Sequence, residues 1–368
     1  VVLTFALALV AAPATPAPAV AAAGWDHPGF DAEDSYYNPA ESAINADTIG
    51  SLTKRWSVAL RESDASCGGF TAPVVAGGRV IATDRLGISA YQAFTGAAAW
   101  RFNWEDPMDS DAAIMAVSGS TLIAADGDCN SNSDPDGRLV ALDLSTGKVR
   151  WRVESDMPVA SVVVDKNMAI ISGESPSDEL ATTAYRVADG KQAWKRVNYV
   201  GSSVSANGRV LATRGNTTSA LSATTGALLW TKPGVWEAKA ATPDADRFLV
   251  TNGTAMSAIN AATGAVLWTA PGKASETIAT DGRRVYRTDD RTVEALNVAN
   301  GRPLWSRRLA RPADQPVRAG GLLYTGGPVL SPTTGVILTQ ATLMAGRQIA
   351  TGGRLYTVNN GELSSFAP

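Results

Sequence analysis

The stretches ALDLSTGKVRW (141–151), ALSATTGALLW (220–230), AINAATGAVLW (258–268) and ALNVANGRPLW (295–305) share one frame. A short apolar run leads into a polar turn that ends in glycine, and a tryptophan follows that glycine by four residues. The same spacing occurs at Gly96/Trp100, Gly147/Trp151, Gly190/Trp194, Gly226/Trp230, Gly264/Trp268 and Gly301/Trp305. A degenerate seventh copy, SPTTGVILT (331–339), carries Thr339 in place of the tryptophan. Successive glycines lie between 34 residues (Gly301 to Gly335) and 51 residues (Gly96 to Gly147) apart. A period of this size means one supersecondary unit repeated into an array whose neighbours bury each other's faces.

Residues 70–104 show what the unit is. FTAPVVA (70–76), RVIATD (79–84), ISAYQA (88–93) and AAAWRFN (97–103) read as four strands rich in small and β-branched residues. Gly77-Gly78, Arg85-Leu86-Gly87 and Phe94-Thr95-Gly96 separate them as tight turns, where positive φ is cheap for glycine. Four antiparallel strands with short turns make one propeller blade. The turn before the second strand recurs eight times, the last at Gly352-Gly353, whereas the glycine-to-tryptophan turn recurs seven times. A strand borrowed from the N-terminus resolves the mismatch. Leu52–Leu60 carries Trp56 in an outer-strand context and can complete the last blade, which leaves the ring without an open edge. The expected fold is therefore all-β, an eight-bladed propeller of four-stranded antiparallel blades over 52–368, with seven blades as the alternative. Trp56, Trp100, Trp151, Trp194, Trp230, Trp268 and Trp305 are expected to pack between blades as large rigid apolar bodies. Trp25, Trp104 and Trp236 fall outside the repeat phase.

Residues VVLTFALALVAA (1–12) followed by PATPAPAVAAAG (13–24) have the apolar run and small-residue cleavage zone of a secretory signal. Residues 1–23 are expected to be a signal peptide shortened at its start, and 24–51 a lead-in to the ring. The apolar run is too short for a stable membrane span. Export places the protein outside the cell or in the cell envelope. The net charge of −3 comes without a basic cluster, which argues against nucleic acid as a partner. His27 is the only histidine, so a His-ligated zinc site and a Ser–His–Asp triad in the body of the ring are excluded. Cys67 and Cys129 are the only cysteines, and in an exported chain an even count favours a disulfide between them.

The densest polar stretch is DGDCNSNSDPDG (126–137), with oxygen-bearing side chains at Asp126, Asp128, Asn130, Asn132, Asp134 and Asp136. Alternating oxygen ligands of this kind can wrap a hard cation such as calcium. The stretch is not an EF-hand, because Ser131 takes the glycine position and Gly137 that of the closing glutamate. Read blandly, it is a solvated hairpin loop of the second blade. Blade-to-blade connections and second-to-third-strand loops open on one face of a propeller, which places Cys67 and Cys129 on the same side. Asp109, Asp111, Trp236, Glu237 and Arg318 are the ligand-binding candidates expected on this loop-rich face. Asp109/Asp111 is also a carboxylate pair that a hydrolase could use.

The frame A-[LI]-[DN]-x-x-[TN]-G-x-x-x-W resembles the repeat of the pyrroloquinoline-quinone-like (PQQ-like) β-propellers. The stretch 25–56 is similar to the lead-in of that superfamily, carried here by Trp25, Gly29, Asp31, Asn38, Glu41, Ile44, Leu52 and Trp56. One branch implied by the resemblance contains quinoprotein dehydrogenases, with the quinone and calcium at the ring mouth. Another contains catalytically silent relatives, among them a barrel-assembly lipoprotein of outer membranes. The chain lacks the adjacent cysteine pair, the haem motif and the long loops of the dehydrogenases. The resemblance therefore implies first a secreted, monomeric, non-catalytic propeller that binds a protein, glycan or small molecule on its loop-rich face. The alternative it implies is a compact quinone-dependent dehydrogenase acting on an alcohol or sugar, with calcium at the mouth.

Overall fold

The computed structural model describes residues 24–368 apart from 65–66, 132, 176–179, 273–274, 276 and 341–344. Its strands form eight sheets arranged as blades around one axis: blades 1 to 7 are each built on four consecutive antiparallel strands, with a short parallel strand added to blade 7, and blade 8 joins three consecutive strands to one from the N-terminus. Blade 1 comprises Val74–Ala76, Arg79–Asp84, Gly87–Gln92 and Ala98–Asn103, from the axis outward. Blade 8 comprises Arg347–Thr351, Arg354–Asn359 and Glu362–Ala367, and Thr53–Ala59 pairs antiparallel on its outside, with Trp56 opposite Ser365. The eight-bladed count and the ring closure by the N-terminal strand both hold, and the seven-bladed alternative falls. The Val329–Gln340 region supplies the outer half of a real blade 7: Pro328–Leu330 pairs with Ile337–Gln340, and Thr339 lies opposite Val329 where blades 1 to 6 set tryptophan opposite alanine.

The repeat glycine and the repeat tryptophan meet across the blade boundary. Each tryptophan ring lies against the turn glycine of the next blade: Trp56 on Gly96, Trp100 on Gly147, Trp151 on Gly190, Trp194 on Gly226, Trp230 on Gly264, Trp268 on Gly301 and Trp305 on Gly335. Each indole also donates its Nε1–H to a carbonyl of the next blade at 2.8–3.1 Å. Glycine is required there twice over. Its φ lies near +70°, and a Cβ would come within 2.5–2.8 Å of the ring. Seven boundaries are locked this way. The boundary between blades 7 and 8 is not, because Thr339 replaces the tryptophan and blade 8, borrowing its outer strand, has no such turn.

The lead-in does more than deliver the closing strand. Residues 25–38 coil across the axis and bond the inner strand of every blade in order. Trp25 exchanges backbone bonds with Val75 of blade 1, and the Asp26 carbonyl accepts from Val117 of blade 2 at 2.7 Å. His27 bonds the Val164 carbonyl of blade 3 at 2.8 Å. The carbonyls of Ala32, Glu33, Ser35 and Tyr36 accept from Ser205, Ala241, Thr280 and Arg318 of blades 4 to 7. Asn38 donates its side-chain amide to Ala350 of blade 8 at 2.9 Å. These inner-strand groups have no further strand to pair with, and the strap satisfies them. Phe30, Asp34 and Tyr36 adopt positive φ, which lets a short segment turn through the ring.

The strap also covers the unlocked boundary. Tyr37–Asn38 pairs parallel with Val317–Ala319 of blade 7. Glu41, buried, accepts from the Gly353 amide of blade 8 at 2.9 Å and from the Ala43 and Ile44 amides. Ile44 is fully buried, and its carbonyl lies against Gly320 of blade 7, where a Cβ would collide.

Candidate functional site

The inner strands begin at the loop-rich face and end at the strap, so the strap floors an axial cavity that opens on the loop-rich face. The cavity holds about 470 Å³. Its floor is His27, Pro28, Asp31, Asp34 and Tyr36, and its walls include Ala113–Met115, Ser161, Ser203, Gln315 and Arg347. Asp31 accepts from the Ser35 amide and hydroxyl at 3.0 and 2.9 Å. Burial pushes its carboxyl up to about 6. Burial and the neighbouring Asp31 charge push Glu33 and Asp34 up to about 7. Burial lowers the His27 imidazole, and its Nδ1 is buried without a hydrogen-bond partner.

Pyrroloquinoline quinone is a planar tricarboxylate. It would meet an acidic floor, a single guanidinium from Arg347, and walls without a tryptophan face among the described residues. The cavity does not fit that group.

A second cavity of about 680 Å³ lies beside the first, between the connections entering blades 1 and 8, and shares Gln315 and Arg347 with it. Its lip is polar: Arg85 pairs with Glu62 at 2.9 Å and stands over the Phe70 ring.

On the same face a rigid lip is built across blades 8, 1 and 2. Cys67, in the connection into blade 1, is bonded to Cys129, in the hairpin loop of blade 2, with Cα atoms 6.3 Å apart. The connection between blades 1 and 2 runs beneath as a single 3-10 turn, Pro107–Asp109. Asp109 caps the Cys129 loop, accepting from the amides of Cys129 and Asn130 and from the amide and hydroxyl of Ser131. Those bonds hold its carboxyl below the usual range. Asn130 donates to the Met108 carbonyl. Met108 itself stands 57% exposed on the crest.

The polar stretch 126–137 closes on a guanidinium. Asp126, buried, accepts from Arg138 Nε at 3.2 Å and Nη2 at 3.0 Å, and Asp128 lies 3.0 Å from the same Nη2. Asp128 and Asp136 tie the loop base through two further bonds of 2.8 and 3.0 Å. Arg138 also donates to the Asp109 carbonyl at 2.7 Å. Burial raises Asp126 to about 6 against the opposing pull of Arg138. The guanidinium thus stands between two of the carboxylates that calcium would draw on. Asn130 spends its amide on Met108, and Asn132 lies outside the described residues. Among the described residues the one group of three candidate metal ligands is Cys67, Asp109 and Cys129, and both sulfurs there are in the disulfide.

The remaining candidates scatter. Asp111 is exposed and turns back to the Ala112 amide. Trp236 is half-buried, packed against the core shared by blades 4 and 5, with its amide donating to the Thr218 hydroxyl. Glu237 pairs with Lys239 at 2.6 Å. Arg318 is not in a connection. It lies in the inner strand of blade 7, over the Tyr37 ring and 3.4 Å from Asp281, because the strap covers it. Sequence reasoning missed the cavity floor. The signal was available in the run DAEDSYY (31–37), acidic and out of repeat phase.

The family model described as outer membrane protein assembly factor BamB matches residues 84–218 and 214–363. A relative of that name from Bordetella pertussis is 27% identical over 168 residues, which is 45% of this chain and 38% of the relative. The chain therefore spans well under half the length of that relative. BamB from Moraxella catarrhalis has a similar structure, with TM-score 0.65 and 21% identity over 86% of this chain and 98% of the other. Quinohemoprotein alcohol dehydrogenase from Comamonas testosteroni also shares the fold, with TM-score 0.70 and 14% identity over 94% of this chain and 80% of the other.

Proposed function

The chain belongs to the PQQ-like repeat propeller family described as outer membrane protein assembly factor BamB, and on that premise we propose that it is a non-catalytic scaffold of the cell envelope. It holds a protein partner against its loop-rich face. The observation that carries this reading is the lip of Cys67, Asp109 and Cys129, which fixes three loops from three blades before any partner arrives. Ordering loops in advance removes an entropic cost from association. The lip presents Met108 as an apolar anchor among polar neighbours, the composition of a binding centre with its rim. The acidic axial floor supports the same reading, since it suits a closed plug better than an anionic redox cofactor. The name its relatives carry makes a protein of the envelope assembly apparatus the first partner class to test.

A photo-crosslinking residue at Met108 in the producing cell tests the proposal. The expected result is one discrete protein adduct, absent when the same residue replaces Phe94 on the opposite face. Calcium-dependent dye reduction with quinone and an alcohol or sugar would overturn the reading, as would identical labelling from both positions.

A further inference from the structure

The floor of the axial cavity holds acceptors that lack donors. His27 Nε2 lies 2.8 Å from the Val164 carbonyl. A carbonyl only accepts, so Nε2 carries the proton and Nδ1 keeps a lone pair. That Nδ1 is buried with no hydrogen-bond partner among the described residues. Asp31 and Asp34 line the same floor. They feel each other's charge and the strap's own backbone and hydroxyl donors, and neither is offset by a cation among the described residues.

The walls differ from the floor. Their polar groups are already engaged: the Thr71 hydroxyl with Thr83, the Ser161 hydroxyl with the Gly201 carbonyl, and the Gln315 amide with the Ile278 carbonyl. Ala72, Ala113, Ile114, Met115 and Val162 make much of the remaining wall aliphatic. A ligand that fits must bring donors and positive charge to the floor and an apolar stem to the walls. His27, Asp31 and Asp34 do not converge closely enough to ligate one metal ion. The same spread exceeds the reach of an ammonium, whose donors radiate from one atom, whereas a guanidinium spreads five donors over a planar fork.

We infer that the axial cavity binds a guanidinium on an aliphatic stem, with the fork on Asp31 and Asp34 and the stem along Ile114 and Met115. Fork and carboxylate match in geometry as well as charge. The bearer is either a free guanidine or the arginine side chain of a protein entering the mouth. The site lies on the axis, apart from the Cys67–Cys129 lip, and is independent of what the lip holds. Burial holds the Asp34 carboxyl at about 7. Asp31, Glu33, His27 and Tyr36 of the strap, Asp165 of blade 3 and Arg347 of blade 8 are the other charged or titratable groups around it. Burial lowers His27, which keeps it neutral near pH 7.

Calorimetric titration of the folded protein with n-butylguanidinium tests it. Saturable binding is expected, about tenfold tighter than that of n-butylammonium, with none by n-butanol. Asp34→Asn should weaken it by about tenfold. Arg347→Gln removes the one cation among the lining residues and should tighten it by about threefold. The ionised fraction of Asp34 rises from about one tenth at pH 6 to about nine tenths at pH 8, so binding should tighten by about tenfold over that range. Melting curves confirm that each variant is folded. A capped tripeptide, acetyl-Gly-Arg-Gly-amide, separates the two sources. Its exclusion assigns the site to a free guanidine, and binding at least as tight as the probe's assigns it to a protein's arginine. No saturable binding would overturn the inference, as would undiminished binding by Asp34→Asn or weaker binding by Arg347→Gln. Displacement of the probe by calcium would also overturn it and reassign the floor to a metal.

Discussion

The indole of Trp268 lies against Gly301 of the following blade, and its Nε1–H donates to the Val298 carbonyl at 2.8 Å. The two residues are 33 apart in sequence (301 − 268) and belong to successive repeats, so the repeat period sets the boundary between blades. A Cβ on Gly301 would stand 2.5 Å from the ring in a backbone held at φ +69°. Gly301→Ala should therefore cost about 2–5 kcal/mol, the left-handed penalty added to displacement of a packed ring. Chemical denaturation measures it. A loss below about 1 kcal/mol would mean the boundary is loosely packed.

The boundary between blades 7 and 8 depends on the lead-in instead. Removing the Glu41 carboxylate leaves the Gly353, Ala43 and Ile44 amides without their acceptor. Glu41→Ala should cost about 1–3 kcal/mol and speed amide exchange over 347–359 more than over any other inner blade. Uniform acceleration around the ring would show that this boundary is no weaker than its neighbours.

Asp31, Glu33 and Asp34 have folded pKa values of about 6 to 7, raised by burial. In the unfolded chain they ionise near 4. The unfolded state therefore sheds protons first as pH rises. The stability these groups contribute is fully present below about pH 4 and is lost as pH climbs through 6 to 7. Asp126 adds to the same trend. Melting temperature should fall over that window, and Asp34→Asn should flatten the fall and raise stability at pH 8. An unchanged slope in Asp34→Asn would remove this cluster as its source.

Arg138 neutralises Asp126, whose side chain is wholly buried. Arg138→Gln should destabilise by about 3 kcal/mol, because it leaves a buried charge unpaired, and the added change Asp126→Asn should restore much of the loss. Calcium should leave the melting temperature of the parent protein unchanged, since the guanidinium already serves these carboxylates. A calcium-dependent rise would show that the loop opens to take the ion.

Replacing Cys67 and Cys129 with serine removes a cross-link spanning 62 residues and should cost about 2–4 kcal/mol. Exchange should quicken in the Pro107–Asp109 turn and the blade 2 hairpin loop while the distant blades stay protected. Equal protection in the lip would mean that the Asp109 cap alone holds it.

The ring was legible from a few positions. Gly96, Gly147 and their equivalents announce a turn, the tryptophan four residues later announces an outer strand, and the count of second-strand turns forces the chain ends together. What spacing could not reveal was which partner each residue finds across a boundary, since Trp100 and Gly147 share no local pattern. The strap was unreadable for a related reason. Its bonds are mostly backbone carbonyls, as at Ala32 and Glu33, and carry no side-chain signature. Arg318 was misplaced because three residues make its strand, too few for periodicity to distinguish it from a connection. At Asp126 the acidic run was visible, but not the arginine twelve residues on that answers it.

Repeat proteins ordinarily fold outward from any point, each unit resting on its neighbour. The strap denies this chain that freedom. Trp25 needs blade 1 and Asn38 needs Ala350 of blade 8, 312 residues away, so a segment that precedes every blade in the sequence is the last to find its place. Docking it requires every blade, and it converts a nearest-neighbour array into a single cooperative unit with a slow, long-range final step. A chain shortened by one blade at its C-terminus would then lose more than that blade: its N-terminus would have an incomplete ring to close.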